Sequence, residues 1–195
     1  MDEGYIKYHC NWIKSDVIQP EQIEEINKWR TLLFDEGYIG MYENGIGFGN
    51  ISIRVDENLF LVSGSATGGI RHLTAAHYAL VTDYNFALNQ LTCKGMTMAS
   101  SESLTHAAIY ACSKETNAVI HVHNKEKWTS LLHKAATTNT SIPYGTPEMA
   151  YAIQDLISGK KIGENKIIAM GGHEEGLIAF GKKLEEAATT ILAKP

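Results

Sequence analysis

A short apolar segment that carries two histidines most constrains the fold of this chain. Residues 118–124 read Ala-Val-Ile-His-Val-His-Asn, and this length and β-branched content predict a buried strand. Side chains alternate between the two faces of a strand, so His121 and His123 are predicted to share one face. Two imidazoles on one face begin a metal site, although a catalytic zinc commonly has three protein ligands and a structural zinc four. The alternative is that both histidines pack and hydrogen-bond to their neighbours with no metal.

The predicted elements around this strand indicate an α/β fold. The alternating segment 51–55 and the apolar segment 59–62, joined by a turn, predict a β-hairpin, and the helix of a strand–helix–strand unit follows over residues 100–114. Because several strands precede that unit, we expect a mixed sheet covered by helices. The other predicted helices cover residues 20–37, 74–80, 125–134, 146–159 and 183–192. The other predicted strands lie within residues 81–93, 166–170 and 177–180. Residues 1–19 are predicted to be irregular.

Bulk composition narrows the classes of function. The chain has 195 residues, 44% of them hydrophobic and 20% charged, which predicts one soluble globular domain over residues 1–195. A net charge of −5 gives no basic surface for nucleic acid, and no apolar segment is long enough to suggest a membrane partner. The amino terminus lacks the layout of a signal peptide, and Cys10, Cys93 and Cys112 have no paired spacing. We therefore expect a cytoplasmic protein with reduced thiols.

Ser100-Ser101-Glu102 is the second segment that carries reactive side chains. Hydroxyls and free backbone N–H groups at the start of a helix suit an anion such as phosphate. Glu102, in the same turn, could face a metal or abstract a proton. The alternative is that a serine caps the helix and the glutamate favours its dipole, with no ligand. His106 lies four residues beyond Glu102 on a similar helix face and is expected to be structural.

Two loops of small and polar residues complete the set of candidates. Residues 63–69, Ser-Gly-Ser-Ala-Thr-Gly-Gly, follow a predicted strand and can either present backbone N–H groups to a phosphate or form a simple turn. Residues 171–176, Gly-Gly-His-Glu-Glu-Gly, lie between two predicted strands. There His173 could be a third metal ligand, Glu175 could ligate instead, or the segment could be an exposed polar turn.

These motifs, in this order, resemble those of the class II aldolase/adducin family from about residue 29 to residue 192. The resemblance is carried by Gly49-Asn50-Ile51-Ser52, the 63–69 loop with Leu73-Thr74 after it, Ser100-Ser101-Glu102, His121-Val122-His123, and His173 with Gly176-Leu177-Ile178. It implies a three-layer α/β/α sandwich with a central mixed, mainly antiparallel sheet. It also implies a homotetramer with active sites between subunits.

The resemblance further implies a role for each matched residue. The implied ligands of a divalent metal, usually Zn2+, are His121, His123 and His173. Cobalt, manganese or iron would also suit imidazole ligands. Glu102 is implied to be the acid/base and can also ligate the metal. The residues implied to bind a substrate phosphate are Asn50, Ser100, Ser101 and, more loosely, Ser65, Thr67 and Gly68.

This chain departs from the family pattern near the third histidine. In the family that histidine usually stands directly before the glycine, whereas His173 is three residues before Gly176, and Glu175 is adjacent to it. The metal would therefore be held by three histidines or by two histidines and Glu175, and we favour His173. The tyrosine that donates a proton across the subunit interface in the family's aldolases has no assigned counterpart, although Tyr144 is nearby in sequence.

The implied chemistry is that of a metal-stabilised enediolate. A divalent metal that chelates the carbonyl and adjacent hydroxyl oxygens of a keto-sugar acts as a Lewis acid, and Glu102 would move the proton. We expect an aldolase or lyase that cleaves a carbon–carbon bond in a phosphorylated ketose or similar small hydroxy-carbonyl compound. The alternatives are a sugar-phosphate epimerase or dehydratase on the same site, because the same ligands serve all three reactions, and a non-catalytic adducin-like scaffold.

Overall fold

A nine-stranded mixed sheet with helices on both faces is formed by residues 5–193, the part of the chain that the computed structural model describes. The strands are β1 His9–Lys14, β2 Gly40–Met41, β3 Gly47–Phe48, β4 Asn50–Asp56, β5 Leu59–Ser63, β6 Tyr78–Asn85, β7 Gln90–Gly95, β8 Ala118–His123, β9 Ala136–Thr137, β10 Ile167–Ala169 and β11 Gly176–Gly181. The α-helices are α1 Glu24–Asp35, α2 Ser103–Cys112, α3 Lys125–Leu131, α4 Pro147–Ser158 and α5 Leu184–Leu192.

The order of the strands confirms the predicted mixed, mainly antiparallel sheet. They follow one another as β1-β7-β6-β5-β4-β8-β11-β10-β9, and β2 and β3 form a separate hairpin. The two outermost pairs, β1 with β7 and β9 with β10, are parallel. The pairs between them are antiparallel. Strand β8 is therefore central, with β4 on one side and β11 on the other.

The alternation along β8 separates two apolar cores, as a three-layer α/β/α sandwich requires. Val119 packs in a cluster that includes buried residues of α2 and α4. Ile120 and Val122 pack on the opposite face with buried residues of α1 and α5. Burying an aliphatic side chain of this size contributes about 1.5–3 kcal/mol, so a slip of one residue would be costly. The register of β8 therefore holds His121 and His123 on the α2/α4 face.

Strand β1 corrects the prediction for the amino-terminal segment. Residues 1–19 were expected to be irregular, which is wrong over His9–Lys14 because this segment pairs in parallel with β7. Its residues are mostly exposed at the edge of the sheet, so the sequence shows no alternating pattern there. The indole Nε1 of Trp12 donates to the carbonyl oxygen of Gly95 at 3.0 Å and fastens the edge strand. Residues 1–4 lie outside the described part of the chain.

The helix predicted over residues 74–80 is also wrong. Only a 3₁₀ turn forms, at Ala75–His77, and β6 begins immediately after it. Ala79 and Val81 belong to the core on the α2/α4 face, so sheet pairing prevails over the local helical pattern. None of the helices within residues 5–193 combines the length and the apolar character needed to cross a membrane.

Candidate metal centre and substrate site

Three histidines meet at one end of the central strands. His121 and His123 are on β8, and His173 is in the loop that joins β10 to β11, the neighbour of β8. One nitrogen of each ring lies within 4.8 Å of those of the other two, and all three residues are buried. The Nε2 atoms of His121 and His123 are 3.1 Å apart. Ligands about 2.0–2.1 Å from a tetrahedral zinc are about 3.3 Å from one another, so this spacing suits a metal of that size.

The protonation of His121 is determined by burial and by one hydrogen bond. Burial lowers its pKa well below the ordinary value, and the neighbouring His123 and His173 lower it further. Nδ1 lies 3.1 Å from the carbonyl oxygen of Leu177. A carbonyl only accepts, so Nδ1 carries the proton and Nε2 presents its lone pair to the other histidines. A neutral imidazole in this tautomer is a suitable ligand for a divalent transition metal.

Glu175 and His173, the two alternatives for the third ligand, occupy different places. His173 belongs to the cluster of three histidines. The Oε2 atom of Glu175 accepts instead from the hydroxyl of Tyr42 at 2.9 Å, and that hydroxyl is 2.8 Å from Nδ1 of His123. The structure therefore brings His173 into the cluster. Glu175 lies outside the cluster, with Tyr42 between it and His123.

Glu102 is buried beside the histidines. Its Oε2 accepts from the hydroxyl of Thr105 at 2.7 Å. Its Oε1 lies 3.7 Å from Nδ1 of His173. Helix α2 begins only at Ser103, so the predicted serine cap is wrong. Ser100 instead accepts at its carbonyl from the Ser103 backbone N–H, and this turn precedes the helix.

The six residues implied to bind phosphate line one small cavity. These residues are Asn50, Ser65, Thr67, Gly68, Ser100 and Ser101. The buried Asn50 side chain has an Oδ1 atom with no hydrogen-bond partner within residues 5–193, which is typical of a site meant for a ligand. The Thr67 hydroxyl donates to the carbonyl oxygen of Gly64 at 2.8 Å and so supports the loop itself. At Gly68 an added Cβ would lie 2.3 Å from the carbonyl oxygen of Gly40, so only glycine fits against the β2–β3 hairpin.

A larger cavity of about 330 Å3 opens beside two of the histidines. His123 and His173 line it together with Tyr42 and Tyr144. The Tyr144 ring stacks on the His173 ring at a centroid distance of 4.5 Å. Phe48, which lines the small cavity, lies 5.5 Å from the ring of His123. The larger cavity therefore reaches His123 and His173, and Phe48 connects His123 to the lining of the small polar cavity.

Comparison with known protein families identifies the family to which this chain belongs. The profile described as Class II Aldolase and Adducin N-terminal domain matches residues 40–193. The chain belongs to the class II aldolase and adducin family. Comparison with curated protein sequences finds no match.

Solved structures of the class II aldolase fold are similar to this chain. An L-fuculose 1-phosphate aldolase aligns with a TM-score of 0.67 and 16% identity over 91% of this chain and 83% of its own. A sugar-phosphate aldolase from Thermotoga maritima aligns with a TM-score of 0.66 and 19% identity over 88% of this chain and 89% of its own. YgbL from Escherichia coli, for which aldolase, epimerase and decarboxylase are given as alternatives, aligns with a TM-score of 0.64 and 18% identity. The alignment covers 89% of this chain and 84% of YgbL. At these identities the similarity establishes the fold.

Sequence reasoning missed two residues that support the candidate site from outside the predicted motifs. Arg30 is 1% exposed and donates to the carbonyl oxygens of Thr67, Gly68 and Arg71 at 2.8–3.0 Å. Tyr42 contacts His123 from the β2–β3 hairpin. Arginine in an amphipathic helix and tyrosine in a short turn are ordinary residues for those positions, so neither carries a local signal. His106, which was expected to be structural, is buried, and its Nδ1 lies 2.7 Å from the hydroxyl of Ser52.

Proposed function

We propose that this class II aldolase-family protein is a divalent-metal-dependent carbon–carbon lyase that acts on a phosphorylated ketose or a similar small hydroxy-carbonyl compound. The observation that carries the proposal is the cluster of three buried histidines beside the buried carboxylate of Glu102. The cavity of hydroxyl and glycine residues next to it supports a phosphate on the substrate. Two structural neighbours of the same fold are sugar-phosphate aldolases.

In this proposal each group has a distinct task. His121, His123 and His173 hold the cation, and zinc is the favoured ion because all three donors are imidazole nitrogens. When bound, a divalent cation supplies Lewis-acid stabilisation of the negative charge that develops on the substrate oxygens. Glu102 removes or returns the proton at Oε1, because Oε2 is held by Thr105.

Phosphate binding would orient the substrate. Ser100, Ser101 and Asn50 line the small cavity, so a phosphate held there would direct the carbon chain toward the histidines. Binding energy from this remote group lowers the entropic cost of reaching the reactive geometry. We also propose a single domain that assembles as a homotetramer in the cytoplasm, where free cysteines such as Cys93 remain reduced.

An epimerase or a dehydratase would use the same residues. The alternatives given for YgbL include epimerase and decarboxylase, so members of this fold are not limited to one reaction. A non-catalytic scaffold would need neither the histidine cluster nor Glu102. Analysis of the products formed from phosphorylated ketoses separates cleavage from epimerisation and dehydration.

The first experiment is elemental analysis of the purified protein beside a His121→Ala/His123→Ala variant. We expect about one zinc or similar ion per chain, as one catalytic site holds, and its loss in the variant. Glu102→Gln should retain the metal while turnover on phosphorylated ketoses falls about 10²–10⁴-fold, the usual contribution of an acid/base group. Glu57→Gln, at an exposed ion pair with Lys114, is the matched control. A protein that accepts no metal even after incubation with zinc would refute the proposal.

A further inference from the structure

The β2–β3 hairpin holds the ring of Tyr42 against the histidine cluster. The Tyr42 backbone N–H donates to the carbonyl oxygen of Ile46, and its carbonyl accepts from the Gly45 N–H, both at 2.9 Å. Its ring packs on the ring of Phe48 with centroids 4.5 Å apart. The hydroxyl thus has a defined position, between His123 and Glu175.

Hydrogen bonds of this hydroxyl to Glu175 and His123 determine where the proton of His123 lies. A phenol has one proton, and a carboxylate oxygen only accepts. The Tyr42 proton is therefore donated to Oε2 of Glu175, and the phenol oxygen accepts from Nδ1–H of His123. This places the lone pair of His123 on Nε2, the atom that lies 3.1 Å from Nε2 of His121.

The same tautomer follows for His121 from its bond to the carbonyl of Leu177. Two lone pairs consequently face each other across 3.1 Å. Such an arrangement is unfavourable when nothing lies between the two atoms, and it becomes favourable when both coordinate one cation. The two histidines are thus prepared as ligands before a cation arrives.

The backbone of Glu175 is a second, independent observation. Glu175 has a φ of +67°, in the left-handed region that favours glycine. Its carbonyl accepts from the Asn124 N–H at 3.0 Å, which anchors the loop to the chain directly after His123. A glutamate held in this conformation indicates that its side chain has a role that offsets the backbone strain.

We infer that Glu175 and Tyr42 form a positioning relay that orients His123 and selects its tautomer for metal binding. The inference rests on the metal site of the proposed function and deepens it, since neither residue touches the cation or the substrate in this role. A carboxylate behind a metal-binding histidine raises the basicity of the ring and fixes its orientation. Here the tyrosine transmits that effect across one additional hydrogen bond.

The test is the affinity of metal-free protein for Zn2+, measured by competition with a chromophoric chelator. Tyr42→Phe should weaken binding 10–100-fold, the usual effect of removing such a partner. Glu175→Gln should weaken it in the same direction, because the negative charge is lost. The visible absorption spectrum of bound Co2+ should also change in Tyr42→Phe, as the geometry at His123 is relaxed.

Two control variants separate the relay from general effects. Glu174→Gln removes a neighbouring negative charge, one that pairs with Lys125 at 3.4 Å, and should change the affinity less than twofold. Tyr151→Phe removes the hydroxyl of an exposed tyrosine on α4 and should have no effect. Glu175→Gly suits the backbone at this φ, so the metal-free protein should unfold at an unchanged or higher temperature while zinc affinity falls.

The outcomes distinguish failure of the inference from failure of the proposed function. If the wild-type protein binds zinc and Tyr42→Phe binds it equally well, the relay is refuted and the metal site stands. If the wild-type protein binds no zinc, the metal site is refuted and the relay with it. If Glu175→Gly loses thermal stability in proportion to its loss of affinity, the role of Glu175 is structural and the inference is overturned.

Discussion

Arg30 shows how one buried charge can shape the loop of a candidate phosphate site. Its guanidinium lies in the interior and donates to three backbone carbonyl oxygens, those of Thr67, Gly68 and Arg71. Because the C=O and N–H of a peptide unit point in opposite directions, these bonds turn the N–H groups of the following residues away from Arg30. The planar group with several fixed donors suits this task better than the single ammonium of a lysine.

We predict that Arg30→Met destabilises the protein and weakens anion binding together. Loss of charge-assisted hydrogen bonds to buried carbonyls should lower the free energy of unfolding by about 3 kcal/mol, measured by urea denaturation. Affinity for inorganic phosphate, measured by calorimetry, should fall as the loop loses its support. Arg30→Lys keeps the charge but not the fork of donors, and it should restore only part of both losses. Equal phosphate affinity in all three proteins would contradict this account.

At the scale of secondary-structure elements, the segment that leads into β1 supports the turn before α2. Tyr8, directly before it, donates from its hydroxyl to the carbonyl oxygens of Ala99 and Ser100 at 3.1 and 2.9 Å. Burial raises the pKa of Tyr8 well above its usual value, so the hydroxyl remains a donor. The edge strand thereby ties the amino-terminal segment to the turn that carries Ser100 and Ser101.

We predict that Tyr8→Phe weakens phosphate binding at a modest cost in stability. The free energy of unfolding should fall by about 1 kcal/mol, the usual net value of a hydrogen bond, as measured in urea. Tyr5→Phe, at a tyrosine that is 66% exposed, is the control and should leave both quantities unchanged. Phosphate affinity that is unaffected in Tyr8→Phe would show that the turn keeps its shape without this bond.

At the scale of the whole molecule, buried neutral histidines make the fold sensitive to acid. Burial lowers the pKa of His106 to about 3 and that of His121 well below its ordinary value. The unfolded chain takes up these protons near pH 6.5, whereas the folded protein does not. Stability is therefore fully present above about pH 6.5 and declines as the pH falls from there toward the pKa of the folded state.

We predict that His106→Leu reduces this sensitivity. Between pH 7.5 and 5.5, protonation of His106 in the unfolded chain should remove about 1.4 kcal/mol from the free energy of unfolding. The variant should lack that part of the decline in the free energy of unfolding. The Ser52 hydroxyl, which loses His106, keeps its hydrogen bond with the Tyr110 hydroxyl at 2.8 Å. Urea denaturation of metal-free protein at the two pH values measures the difference. Parallel pH profiles for the wild-type protein and the variant would refute the assignment to His106.

Local patterns in the sequence were sufficient for the central elements of the fold. The alternation in β4 and the apolar segments of β5 and β8 follow from burial of one or both faces of each strand, and the apolar spacing of α4 and α5 follows from packing on one side. Strand β1 and the start of β6 could not be predicted in this way. Their state depends on pairing with distant residues, which leaves no periodic signal in the chain.

The sequence by itself determined the family, the order of its motifs and the candidate residues for the site. Those motifs consist of rare combinations, such as His-x-His on a buried strand, that local chemistry makes recognisable. Only the tertiary structure decided that His173 joins the cluster while Glu175 stands behind Tyr42. Only the tertiary structure revealed Arg30, too, under the 63–69 loop. The physical reason is distance along the chain: hydrogen bonds between residues 37 to 133 positions apart arise when the sheet closes, and nothing near either residue records them.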